Sequence, residues 1–388
     1  MDFSLTPAQQ EIREAVLKIC ARFGDDYWLA RDTDGAFPHE LHQALAGAGW
    51  LGIAMPEAYG GAGLGVAEAA IMMQAIAESG AAFSGASAVH MNIFGLYPVV
   101  VFGTDEQKRR ILPPLIAGKE KACFAVTEPN TGLDTTRLKT KAVRQGNGYA
   151  VHGQKIWIST AQVADRVLLL ARTTPLEEVK KRTEGLSLFY TALDRKYVEA
   201  RVIDKMGRKA VDSNQLFFDG LPVPLEDRIG EEGKGFEYIL HGMNPERILV
   251  AAEAVGIGRA ALARAARYAK ERIVFGRPIG QNQAIQHPLA RCWMELEAAQ
   301  LMVLKAAQLY DTGQPCGIEA NAAKYLGAEA GFTACETAVL THGGMGYAKE
   351  FHVERLLREV MIARIAPVSR ELILCNIAEK ALGLPKSY

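Results

Sequence analysis

The hydrophobic periodicity of this chain changes twice, and the order of those changes limits the architectures open to it. Up to about residue 120 the apolar residues recur at helical spacing: Ile12, Ala15, Val16, Ile19 and Phe23 share one face of the stretch from Gln9 to Phe23. Thr6-Pro7 ahead of it supplies an N-cap followed by proline at the first helical position. Glu40–Ala48, Ala67–Ser79 and Asp105–Ile116 have the same character. Between about 121 and 228 the texture becomes β. Tyr149–Ile158, Val167–Ala171, Leu186–Thr191, Val198–Ile203 and Gln215–Phe218 are short runs bounded by turn residues. From about 229 long helical segments return, as Glu237–Tyr268, Ala284–Tyr310, Glu319–Leu340, Glu350–Ile362 and Arg370–Leu382, with Phe275-Gly276-Arg277-Pro278 interrupting them. Strands without helices between them argue against an alternating, doubly wound nucleotide fold. The expected class is α+β and multidomain: an N-terminal helical domain (1–120), a middle β-barrel or sandwich (121–228) and a C-terminal four-helix bundle (229–388).

Two glycine runs invite a phosphate-binding reading. Gly61-Ala62-Gly63-Leu64-Gly65 has GxGxG spacing and no strand before it, so a loop entering a helix is the better reading. His342-Gly343-Gly344-Met345-Gly346-Tyr347 joins two helical segments; its amides suit either a helix C-cap or an anion. Forty-four basic residues balance 44 acidic ones, which argues against a nucleic-acid partner. Cys20, Cys123, Cys292, Cys316, Cys335 and Cys375 have neither disulfide-frame nor metal-site spacing, so reduced thiols and no metal are expected. No signal peptide and no membrane-spanning apolar run is apparent, so a soluble cytoplasmic protein is expected.

Five stretches, in order and at matching separations, resemble the acyl-CoA dehydrogenase superfamily over nearly the whole chain. They are Phe124-Ala-Val-Thr-Glu-Pro-Asn-Thr-Gly-Leu-Asp134, Gly153-Gln-Lys-Ile-Trp-Ile-Ser159, Glu271-Arg-Ile-Val-Phe-Gly-Arg-Pro-Ile279 with Gln283, His342-Gly-Gly-Met-Gly-Tyr347 with Glu350, Arg355, Arg358 and Glu359, and Ser369-Arg370-Glu371. The resemblance implies FAD as cofactor, an acyl-CoA substrate, an electron-transfer flavoprotein as electron acceptor, and a homo-oligomer, usually a tetramer. It implies that Ala125, Val126 and Thr127 run along the isoalloxazine at its N1/O2 edge, where donors favour the reduced, anionic ring. Trp157 and Ser159 would cover the ring near N5. Arg272 and Phe275 would reach the adenosine diphosphate of a neighbouring subunit's FAD, with Gln283 nearby and Gly343 and Gly344 giving amides to the pyrophosphate. Ser369 and Glu371 match further FAD contacts.

Dehydrogenation of a thioester needs a carboxylate that takes the α-proton while a hydride leaves the β-carbon. Many members carry that Glu in an Ile-Tyr-Glu-Gly-Thr segment; here the segment is Ile365-Ala-Pro-Val-Ser369, and Pro367 stands at the base position. Isovaleryl-CoA and long-chain members hold the Glu earlier, in a Glu-Arg pair. Asn244-Pro245-Glu246-Arg247 matches that place, making Glu246 the candidate base and Asn244 and Arg247 candidate contacts to the CoA pantetheine. The competing reading of Glu246 is a first-turn glutamate after proline, favourable to the helix dipole. Glu253, two turns on along the same face, is the alternative carboxylate.

Pro367 also lacks the N–H that polarises the thioester carbonyl in the family, unless Val368 donates instead. Further departures are Thr131 for a small residue, Leu133 for Ser, and Leu340 for a Gln on the FAD pyrophosphate. Phe94, Leu96 and Tyr97 hint at a short, branched or cyclic acyl group, although core packing explains bulky residues equally well. Two other readings keep the fold: an enoyl-CoA reductase or other flavin reaction on a CoA thioester, suggested by Pro367, and a non-enzymatic flavin-stabilised binding module.

Overall fold

The computed structural model describes residues 4–91, 93 and 95–387. The N-terminal helices are α1 (Pro7–Cys20), α2 (Asp25–Asp34), α3 (His39–Gly47), α4 (Val66–Ile76), α5 (Ala82–His90), α6 (Tyr97–Phe102) and α7 (Asp105–Ile116). Thr6 caps α1 with its side chain accepting from Gln9 N, and the Gln9 side chain returns to Thr6 N. The glycine-rich loop 60–65 enters α4 without a preceding strand. A Cβ at Gly61 would fall 2.1 Å from the Met55 carbonyl oxygen, so that glycine serves close backbone packing. The free N–H groups of Val66 and Ala67 at the start of α4 are taken by the two carboxylate oxygens of Asp311, at 2.7 and 2.9 Å.

The strands are β1 (Ala122–Ala125), β2 (Lys141–Gln145), β3 (Gly148–Ser159), β4 (Arg166–Arg172), β5 (Leu186–Ala192), β6 (Val198–Val202), β7 (Ser213–Pro224) and β8 (Arg228–Ile229). They form one sheet in the order β6-β7-β3-β2-β4-β5-β8, with β1 parallel to β4. The two halves of the sheet meet where β2 pairs β4 through Lys141 and Arg172. Val151, Leu169, Phe189, Leu216 and Val223 pack together inside the folded sheet. The register of β3 against β7 slips between Lys155 and Ile158, and Trp157 there has φ +62°. This bulge turns the indole outward, leaving it 57% exposed.

Helices resume with α8 (Gly235–Leu240), α9 (Met243–Glu271), α10 (Gln283–Asp311), α11 (Gly317–His342), α12 (Val353–Val360), α13 (Ile362–Ile365) and α14 (Arg370–Lys380). The segment read as one helix from Glu237 is two, divided at His241–Gly242. Between α9 and α10 the Phe275-Gly276 turn closes a small hairpin of β9 (Ile273–Val274) and β10 (Arg277–Pro278). One apolar cluster joins α1, α3 and α4 to α9, α10 and α11 through Val16, Leu41, Met72, Leu249, Val303 and Ala323. The N-terminal helices are therefore packed against the C-terminal bundle, and α5 lies along α9. Among the described residues no helix is long and apolar enough to cross a membrane.

Candidate active site

The site residues read from the sequence fall into two groups. The first lies where the sheet, α5 and α9 meet. The Thr127 carbonyl accepts from Ile156 N at 2.9 Å, which holds the strap after β1 beside the bulge of β3. Ala125 and Val126 are buried, Thr127 is half-buried and Trp157 faces outward. Lys155, fully buried, fixes the strap from beneath: its Nζ donates to the Val126 carbonyl at 2.8 Å and to Glu128 at 3.1 Å. Burial pushes the Lys155 ammonium down to about 8, against the pull of Glu128. Thr131, at the end of the strap, has a buried hydroxyl without a hydrogen-bond partner among the described residues.

Ser159 Oγ accepts from Arg208 at 2.9 Å. Arg208, in the loop between β6 and β7, also reaches Ser213 Oγ and, on α5, Ser87 Oγ, both at 3.3 Å. Sequence reading missed Arg208. Its backbone has φ +55°, an uncommon conformation for a long side chain and one that marks a position held by its surroundings. Through this guanidinium, β3 is tied to the helix that carries His90, one turn beyond Ser87.

His90 is the second omission. Its Nε2 lies 2.5 Å from Glu246 Oε2 and its Nδ1 lies 2.5 Å from Glu253 Oε1, and all three residues are buried. Burial alone would lower the imidazole pKa; Glu253 and Glu246 outweigh it and raise it to about 10. Burial also pushes the Glu253 carboxyl up, against the pull of His90. Glu246 Oε1 makes no hydrogen bond to a described residue. Arg247 NH1 donates to Asn244 Oδ1 at 3.0 Å, and the buried Arg247 Nε has no partner among the described residues. Facing them, Lys324 on α11 donates to the Val368 carbonyl at 2.6 Å, while the Val368 N–H donates to no described residue. Burial first, and Arg247 second, push Lys324 down to about 8. Leu96 is core, packed with Met55, Val99 and Leu112, and Tyr97 packs edge-on against Tyr310 at 6.0 Å. Phe94 lies outside the described residues.

The second group is exposed. Arg272, Phe275 and Gln283 are on the hairpin and at the start of α10, with Phe275 wholly exposed at φ +52°. Gly343 (φ +59°) and Gly344 follow α11 and face open space. None of these side chains hydrogen-bonds to the sheet. Ser369 caps α14, its Oγ accepting from Leu372 N at 3.3 Å, and Glu371 is exposed beside Arg370 at 3.1 Å.

Three matches cover most of the sequence: the acyl-CoA dehydrogenase N-terminal domain over residues 6–119, the middle domain over 123–221 and the C-terminal domain over 233–382. The chain belongs to the acyl-CoA dehydrogenase family. It is 38% identical over 382 residues to acyl-CoA dehydrogenase FadE12 of Mycobacterium tuberculosis, covering 98% of this chain and 97% of that one. It is 35% identical over 338 residues to the caffeyl-CoA reductase-Etf complex subunit CarC of Acetobacterium woodii, covering 86% and 87%. The butyryl-CoA dehydrogenase structure from Megasphaera elsdenii superposes with a TM-score of 0.90 at 31% identity, over 99% of this chain and all of that one. As an acyl-CoA dehydrogenase, the protein is an FAD-dependent oxidoreductase. The residues present fit that cofactor: an outward indole beside the strap, an unpartnered buried hydroxyl at Thr131, and open backbone at Gly343 and Gly344.

Proposed function

We propose that the protein oxidises a saturated acyl-CoA thioester to its 2,3-enoyl-CoA, with Glu246 taking the α-proton and the electrons passing to an electron-transfer flavoprotein. The observation that carries this reading is the buried Glu246 carboxylate, whose Oε1 has no hydrogen-bond partner among the described residues, in a chain whose alternative base position is Pro367. Bound FAD supplies the acceptor for the β-hydride. Around it Ala125, Val126, Thr127, Trp157 and Ser159 hold the ring, while Ser369 and Glu371 add contacts. Arg272, Phe275, Gln283, Gly343 and Gly344 serve the adenosine diphosphate of a neighbouring copy, most simply in a tetramer. An exposed phenylalanine on a hairpin beside an exposed arginine supports that assignment. Asn244 and Arg247 orient the pantetheine, and the Val368 N–H, which donates to no described residue, polarises the thioester carbonyl in place of the missing proline donor. The name of the Acetobacterium relative, an Etf complex subunit, supports the electron-transfer partner.

The same relative's name, with Pro367, favours one second reading: reduction of an enoyl-CoA. An anaerobic titration decides between them. Saturated acyl-CoAs (butyryl, isovaleryl, octanoyl and 3-phenylpropionyl) should bleach the flavin band at ~450 nm in the first case. Chemically reduced protein reoxidised by the enoyl-CoAs alone would establish the second. Glu246→Gln should retain FAD and slow flavin reduction at least ~100-fold; reduction at the wild-type rate would remove Glu246 from the chemistry.

A further inference from the structure

The His90 ring does more than fill the space between α5 and α9. Each of its nitrogens lies 2.5 Å from a carboxylate oxygen, and each such contact must contain one proton. With both protons on the ring, an imidazolium sits between two carboxylates. With one moved to Glu253 or Glu246, a neutral ring sits between an acid and a carboxylate. Either way the three side chains hold two inner protons and one net negative charge. They do not converge on a point as metal ligands would, because the ring lies between the carboxylates. Arg208, from the loop between β6 and β7, acts electrostatically on both glutamates. Arg247 on α9 and Lys324 on α11 act on Glu246. Glu359 on α12 is occupied by Arg355 and by the backbone and hydroxyl of Ser84.

We propose that His90 is the positioning residue of the base: it anchors Glu246 Oε2 and leaves Oε1 alone to receive the substrate's α-proton. This rests on the reading of Glu246 as the base. In the step, the α-C–H bond breaks, an O–H bond forms at Oε1, and the electron pair stays with the substrate. The cluster passes from one negative charge to none, and its two inner protons remain in place. Glu253 is the counter-charge that keeps the ring between the carboxylates.

The two neighbours of Glu246 act in opposite directions, which separates this role from packing. Loss of the imidazolium removes a positive charge in contact with Glu246, so His90→Gln raises the pH midpoint of flavin reduction by at least about one unit. Loss of the second carboxylate leaves the ring's charge to Glu246 alone, so Glu253→Gln lowers that midpoint. The measurement is single-turnover flavin reduction from pH 5 to 10, with the panel acyl-CoA that reduces the wild-type protein fastest and with bound FAD counted in each variant. Glu253→Gln carries the test by itself if His90→Gln does not fold. In ¹⁵N-histidine spectra of the ligand-free protein, the ring lost in His90→Gln or moved in Glu253→Gln should not titrate between pH 6 and 8. Slower reduction at unmoved midpoints, or a residue-90 ring that titrates near the ordinary ~6.5, overturns the proposal while leaving Glu246 as base. Glu246→Gln at the wild-type rate, or no panel member oxidised, overturns both.

Discussion

Lys155 accounts for the lysine of the Gly153–Ser159 stretch. A side chain with no exposure holds the strap beside the bulge by two hydrogen bonds, one to a backbone carbonyl and one to Glu128. Glu128 is also held by Lys139 N at 2.7 Å and Thr140 N at 2.8 Å. Lys155→Met should therefore destabilise the protein by about 2–4 kcal/mol, somewhat less than stripping a fully dependent buried pair. Adding Glu128→Gln should recover part of that loss, because it removes the uncompensated charge. Urea unfolding midpoints of the two variants check this; a Lys155→Met protein as stable as wild type would show that the strap holds itself. At this scale the sequence supplied Glu246, Arg247 and the motif residues as candidates. It did not supply His90 or Arg208, since a lone histidine or arginine carries no local pattern.

Among elements, α4 depends on a residue far away in the chain. Its first N–H groups point at Asp311, the last residue of α10, and a Cβ at Gly65 would lie 2.5 Å from that carboxylate. The glycines before α4 thus admit a protein carboxylate where a nucleotide fold would admit a phosphate. Asp311→Ala should cost roughly 1–2 kcal/mol by loss of this cap, read as a lower thermal unfolding midpoint. Asp311→Asn should lose less, since one oxygen still accepts; equal losses would mean that charge, not hydrogen bonding, is what α4 uses. Helix α7 was legible at both ends, and β3, β4 and β5 to within one residue, because their periodicities are uninterrupted. The strands β1 and β2 were not: β1 is four residues and β2 is a polar run mostly open to solvent. Helix α2 was also missed, because its buried residues, Trp28 and Asp32, give almost no apolar stripe.

For the whole molecule, the exposed apolar side chains mark where the proposed association with a neighbouring copy would act. Phe275 stands wholly exposed, and Trp293, Met294 and Leu301 lie exposed along α10. If Arg272 and Phe275 serve a neighbouring copy's FAD, Arg272→Ala should lower FAD occupancy several-fold while leaving helix content unchanged. Absorbance per chain and circular dichroism measure the two separately. Full occupancy in that variant would return the hairpin to a role in assembly alone.

The order of helix, strand and helix, the family motifs, and Glu246 as candidate base with Pro367 at the other position, were read from the sequence alone, because each is written in a contiguous run. What surrounds that carboxylate was decided by the tertiary structure. His90 meets Glu246 and Glu253 across separations of 156 and 163 residues, and Arg208 joins β3 to α5 across separations of 49 and 121. Periodicity reports which face of an element is buried. It cannot report which polar groups of two buried faces are brought within a proton's reach.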